Sequence, residues 1–283
     1  MPELYEVVER PDLDAPALVC MLDGWVDAGV GAQTARSTLL EHLETVTVAT
    51  FDSDLLLDQR ARRPVMHLVD GMLTGLSWPG IELRAASDGH GNDFLLLVGA
   101  EPDHLWRAFT RDAIDLALDL GTRMVVTLGA YPAPVPHTRP TRLSCTASDA
   151  SMARVAQVRA TIEVPAGVHA ALERRAFEVG IPSTGLWAQV PHYASAMPCP
   201  AAAVALLEGF GDLAGLEVPK GDLDAAAEQT RRRIDDLIAG NAEHREMVSR
   251  LEQQYDGEES GGLPSGDELA AEVERFLREQ GGT

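Results

Sequence analysis

The sequence predicts an α/β fold with a largely parallel sheet. Aliphatic runs at 17–22, 94–99 and 124–128 have the length and composition of buried strands. Segments with a helical apolar stripe alternate with them, most clearly 101–120. Turn residues fall between these segments, at Gly71, Gly75, Pro79-Gly80 and Asp88-Gly89-His90-Gly91-Asn92.

Ala17 to Leu22 is apolar throughout and reads as a central strand. It runs into Asp23-Gly24-Trp25-Val26-Asp27-Ala28-Gly29, where Asp27 is placed to cap a helix over 28–42. Thr45 to Phe51 is β-branched and predicts a second strand, making a right-handed βαβ unit. Met66–Val69, Ile81–Leu83 and Phe94–Gly99 predict further strands. The helix over 101–120 has Pro102 in its first turn and Gly121 just past its end. Leu105, Phe109, Ala113, Leu116 and Leu120 form its stripe.

Met124 to Leu128 predicts a strand that ends near Gly129. Prolines at 132, 134, 136 and 140 follow. Each lacks an N–H and fixes its own φ, and each restrains the residue before it. The chain should leave the strand as a stiff, extended loop presenting Tyr131, His137 and Arg139. A helix over 167–179, an extended segment over 181–188 and an alanine-rich helix over 198–208 come next.

From Leu223 to Tyr255, positions 223, 227, 230, 234, 237, 241, 244, 248, 251 and 255 step by four and three. This heptad seam predicts one long helix, bent at most at Gly240-Asn241, laid along its own domain in preference to pairing as an intermolecular coil. An acidic, glycine-rich linker near 256–265 follows. Ser265 and Glu268 then form a capping box for a last short helix. The domains expected are 1–220 and a C-terminal helical extension over 221–283.

The net charge of −21 opposes nucleic-acid binding and docking on anionic membranes. Lys220 is the single lysine, so no Walker-type phosphate loop exists. Cys20, Cys145 and Cys199 are few and far apart, which fits reduced thiols in a cytoplasmic protein and opposes a disulfide framework or zinc site. The N-terminus lacks a signal-peptide core, and the longest helical apolar run, Ala201 to Leu207, is too short for a bilayer. A dinucleotide fingerprint at 29–34 fails at Thr34. No cofactor and no metal are expected.

Three segments share one grammar, a strand followed by a Gly- or Pro-rich polar turn: 23–29, 129–139 and 190–193. If their strands are parallel neighbours, Asp23, Trp25, Asp27, Gly29, Tyr131, His137, Arg139, His192 and Tyr193 line one rim. Two histidines with carboxylates permit acid–base work. Yet no nucleophile elbow and no metal-ligand spacing accompanies them. Two readings stay open. One is a non-catalytic interaction protein; the other is a hydrolase or glycosyl-transfer enzyme using His137, His192 and Asp27.

The same segments carry a family resemblance. They are 24–29, Leu128-Gly129-Ala130-Tyr131-Pro132-Ala133, Val135 to Pro140, Gly185-Leu186-Trp187-Ala188 and Val190-Pro191-His192-Tyr193, with Pro198 and the helix behind it. Together they resemble the proteasome assembly chaperone 2 family, in its actinobacterial branch of uncharacterised proteins. The resemblance implies a three-layer α/β/α sandwich with a mostly parallel mixed sheet, similar to nucleoside phosphorylase and peptidyl hydrolase folds. It also implies a homo-oligomer, a trimer, with no established enzymatic activity. Several family chaperones dock on the proteasome through a C-terminal hydrophobic–Tyr–any tripeptide. This sequence ends Gln280-Gly281-Gly282-Thr283, which counts against docking of that kind.

Overall fold

The computed structural model of the chain describes residues 3–24, 26–148, 152, 156–157 and 163–258. Its strands are β1 (Tyr5–Val7), β2 (Ala17–Asp23), β3 (Val46–Phe51), β4 (Val65–Val69), β5 (Met72–Ser77), β6 (Ile81–Ser87), β7 (Asp93–Ala100), β8 (Met124–Ala133), β9 (Leu143–Ala147), β10 (Ala156–Gln157) and β11 (Ser183–Pro191). Its helices are α1 (Gly31–His42), α2 (Ser53–Leu56), α3 (Trp106–Asp119), α4 (Val168–Glu178), α5 (Pro200–Ala214), α6 (Leu223–Ala239) and α7 (Ala242–Glu258). The fold is α/β. The described residues divide into two compact units. One is drawn from Met1–Trp25, Leu43–Thr127 and Ala166–Ser183, the other from Val26–His42, Leu128–Pro165 and Thr184–Thr283.

In the first unit the strand order is β1-β3-β6-β7-β2-β8. The centre is parallel: β2 pairs with β7 from Ala17↔Phe94 to Asp23↔Ala100, and with β8 from Ala17↔Met124 to Cys20↔Thr127. A strand paired in parallel on both sides is buried on both faces, which is why β2 is apolar throughout. Towards β1 the pairing is antiparallel. The Asp88 carboxylate accepts from the backbone N–H of His90 and Asn92 and turns β6 back into β7. β3 runs beside β6 and β1, so two strands separate it from β2 rather than the immediate βαβ neighbour the spacing suggests. Leu18, Cys20 and Leu22 share a core with Leu95, Leu97, Phe109, Ile114 and Leu172. The α3 stripe is buried as expected at Phe109, Ala113, Leu116 and Leu120. The helix itself starts later than Pro102. Leu105 stands at φ 56, and the Asp103 and His104 amides are taken by the Leu56 carbonyl, so no helical turn forms before Trp106. β4 and β5 form a separate hairpin.

The second unit contains β8 from residue 128 onward and the order β8-β11-β9-β10. β9 and β11 are antiparallel, Leu143↔Ala188 to Ala147↔Thr184. α5 buries Ala202, Ala203, Leu206, Leu207 and Phe210. It crosses α1 closely, since a Cβ on Gly31 would lie 2.9 Å from the Ala202 Cβ.

Two sequence expectations change here. β8 does not end at Gly129 but continues to Ala133. Proline removes one donor, while its φ near −65° remains compatible with extended backbone, so Pro132 costs the strand a hydrogen bond and not its direction. The single long helix is two helices. The Asn241 side chain accepts from the Glu243 and His244 amides and starts α7 afresh, an N-cap that competes with helix continuation. The seam still holds α6 and α7 on their own unit: Leu223, Ile234, Val248, Leu251 and Tyr255 are buried, and Leu237 beside the break is 62 % exposed. α7 carries helix through to Glu258, into the start of the expected linker. The rest of that linker, the capping box at Ser265 and the final helix lie outside the described residues, as does the C-terminal tripeptide.

Candidate functional site

Within the second unit, residues 27–29 are tied through backbone to β8 and to the segment 195–199. Asp27 forms a parallel bridge with Ala130 of β8. Two residues on, the Gly29 amide donates to the Ser195 carbonyl (2.7 Å), and the Cys199 amide donates to the Gly29 carbonyl (2.8 Å). Gly29 has φ 61, and a Cβ there would lie 2.5 Å from the Cys199 Cβ. Only glycine permits this approach. The Asp27 carboxylate caps α1 as predicted, but from further away. A 3₁₀ turn over Ala28–Val30 intervenes, so Oδ1 accepts from the Ala32 amide (2.8 Å) and Oδ2 from the Gln33 amide (2.9 Å). Such a cap contributes about 1 kcal/mol.

At the centre stands His137, in the loop after β8. Its amide donates to the Tyr193 hydroxyl oxygen (2.9 Å), and its Nδ1 lies 2.7 Å from the same oxygen. Its Nε2 lies 3.1 Å from Oδ1 of Asp235 on α6. A carboxylate only accepts, so Nε2 carries the proton, and in the neutral ring Nδ1 accepts from the Tyr193 O–H. The His137 side chain is 5 % exposed. Asp235 is held in turn by Arg231, which donates from Nη1 to Oδ2 at 2.8 Å.

The rest of the loop is anchored the same way. Arg139 donates to both carboxylate oxygens of Asp256 (2.8 and 2.7 Å) and approaches Glu252 at 3.3 Å. The Asp256 bonds push the Arg139 pKa up, and the same bonds hold the Asp256 carboxyl below its usual range. Thr138 donates to Glu252. Tyr255 is buried against Tyr131, Ala133 and Val135. Its hydroxyl donates to the Pro140 carbonyl (2.9 Å), and the Arg142 guanidinium lies 3.3 Å from its ring centre. The Trp187 indole packs against Gly129, where a Cβ would come within 2.4 Å of the ring.

Tyr131 is buried and shares a hydrogen bond with Ser144 (3.0 Å), which also accepts from Gln189 (2.8 Å). Burial raises its pKa. The His192 ring sits edge-on to Tyr193, its Nδ1 3.4 Å from the Ala133 carbonyl. Asp23 ends β2 in the first unit, where its carbonyl accepts from the Glu101 amide (3.1 Å). Trp25 lies outside the described residues.

A cavity of about 350 Å³ adjoins His137. Pro136, Pro198, Ala201 and Ile234 supply apolar wall, and Cys199, Glu228 and Arg231 supply polar wall. Burial pushes the Tyr193 hydroxyl up to about 12, and the Cys199 thiol is raised for the same first reason. Neither is an ionised nucleophile at neutral pH. Among the described residues no cluster of His, Cys, Asp and Glu has the arrangement of a metal site. No helix among them is long and apolar enough to cross a membrane.

Sequence reasoning names His137, Arg139, His192 and Tyr193 but not their partners. Asp235 lies 98 residues from His137, and Asp256 lies 117 from Arg139. The one trace of them is Tyr255, the last position of the heptad seam.

The PAC2 family model matches residues 21–238. A Mycobacterium tuberculosis protein of unknown function is 36 % identical, covering 99 % of this chain and 97 % of its own, with a TM-score of 0.87. A proteasome-assembly chaperone homologue from the same organism is 34 % identical over 82 % of this chain and 99 % of its own, with a TM-score of 0.74. A PAC2 family protein from Streptomyces avermitilis is 32 % identical, with coverage of 82 % and 99 % and a TM-score of 0.73. No curated protein matches the chain.

Proposed function

Because the chain belongs to the PAC2 family, we propose that it acts without catalysis, as a chaperone-like interaction protein that assembles with copies of itself, as a trimer, and holds a protein partner in the cytoplasm. The observation that carries this reading is that the polar side chains of the loop 137–139 all end on fixed partners within the same chain. His137 joins a hydroxyl and a carboxylate as a triad histidine does, but the hydroxyl is that of Tyr193, which burial pushes up to about 12, so the array lacks an activated nucleophile. The arrangement works as a strut that joins loop, strand end and helices α6 and α7. The likeness to a proteasome-assembly chaperone homologue makes proteasome subunits the first partner class to test.

The test combines purified chain with actinobacterial proteasome α- and β-subunits and follows ring assembly by native mass spectrometry. A changed yield or rate of assembled rings is the expected result. Absence of any complex, with assembly unchanged at a large excess of the chain, rejects the proteasome as partner. In parallel, Tyr193→Phe and Asp235→Asn lower thermal stability by a few degrees.

The cavity beside His137 favours one second reading, a hydrolase or glycosyl-transfer enzyme. Turnover of an ester, peptide or nucleoside substrate that His137→Gln abolishes, with the fold intact, would establish it in place of the first.

A further inference from the structure

The hairpin of β4 and β5 is the least covered part of the first unit. Eight apolar residues between Val65 and Trp78 are each 45 to 70 % exposed. The hairpin itself is well formed. Asp70 at φ 50 and Gly71 at φ 79 make the tight two-residue turn whose twist suits paired strands. Its two faces differ. Opposed residues share a face, and the register pairs Met66 with Leu76 and Leu68 with Leu73. These four make one wholly apolar face. The other face carries His67, Ser77 and Gly75 beside Val65, Val69 and Met72, with His67 and Ser77 hydrogen-bonded at 2.6 Å.

An isolated two-stranded hairpin is marginal in water and needs further strands or another surface against it. Natural sheets guard bare edges with lysine, other charges or proline. Between Val65 and Trp78 the only acidic or basic residue besides His67 is Asp70, at the turn. We propose that this hairpin, the apolar face together with the exposed Val65, Val69, Met72 and Trp78, is enclosed by another copy of the same chain.

Area and charge choose the second copy as occupant. At about 100 Å² from each of eight residues the hairpin offers roughly 800 Å², the share each partner contributes to a standard stable interface. The chain carries a net charge of −21, so two copies repel over most of their surface. The hairpin face carries none of that charge and is where two copies approach without it. This inference deepens the oligomeric reading above and rests on it.

The experiment measures mass by light scattering on wild type and on Leu68→Asp/Leu73→Asp at micromolar concentration. Circular dichroism and thermal melts check the fold of each. The expected result is an oligomeric wild type and a folded variant whose self-association is weakened on the order of 100-fold. As a second measurement, amide hydrogen exchange over 65–78 is slower where the wild type is oligomeric than after dilution to the monomer. An oligomeric wild type with the double variant unchanged in mass, or hydrogen exchange over 65–78 that is the same before and after dilution, overturns the hairpin contact and leaves the oligomeric reading standing. A monomeric wild type overturns both.

Discussion

His137 is held by two distant pieces of chain, at Tyr193 and Asp235, whereas His169 is held by burial. The Leu22 amide donates to its Nε2 at 3.2 Å, and burial pushes its pKa down to about 4. A ring whose folded pKa lies below the ordinary value near 6.5 takes up a proton more readily in the unfolded chain. Its contribution to stability is therefore complete above about pH 6.5 and is lost as pH falls toward 4, up to about 3 kcal/mol. In urea melts, His169→Gln should lose less stability between pH 7 and 4.5 than wild type does. At Gly29, an alanine meets both a left-handed φ and the Cys199 backbone and side chain. Gly29→Ala is expected to cost about 2–4 kcal/mol, from backbone strain and overpacking together. The motif around Asp27 and Gly29 is visible in the sequence. That its glycine serves a close backbone approach to 195–199 is not, because nothing local encodes which segment lies against it.

Among elements, the break between α6 and α7 separates two effects that the heptad pattern merges. The seam reports which face is buried, and both helices obey it. Asn241 decides continuity through hydrogen bonds that a hydrophobic pattern does not register. Asn241→Ala should cost about 1 kcal/mol through the lost cap. Gly240 has φ −77 and open space around it, so Gly240→Ala should be neutral or stabilise by up to about 1 kcal/mol. Chemical denaturation distinguishes the two signs. β8 shows a similar limit. Its prolines are plain in the sequence, but whether Pro132 ends a strand depends on whether its missing N–H was needed.

Over the whole molecule, charge dominates. A net −21 on one chain opposes compactness as well as association. Salt screens surface charges over about 8–10 Å at 0.1–0.15 M. Thermal stability should therefore rise by several degrees between low and moderate NaCl, and self-association should tighten over the same range. Differential scanning calorimetry and light scattering across a salt series check both. A flat response would place the acidic side chains in local ion pairs such as those of Asp235 and Asp256 rather than in a general field.

Composition, periodicity and turn residues by themselves determined the α/β class, most strands and helices, the family motifs and the residues His137, Arg139, His192 and Tyr193. Those signals are local: side chains repeat along an element because one face is dry. Tertiary structure alone decided what the motif residues do. It set the antiparallel pairing around β6, the split at Asn241, and the partners Asp235, Glu252 and Asp256. A hydrogen bond between residues 98 or 117 positions apart leaves no period in a sequence. Only the folded backbone brings such groups within hydrogen-bond distance of each other, and there they turn a set of polar candidates into a fixed scaffold.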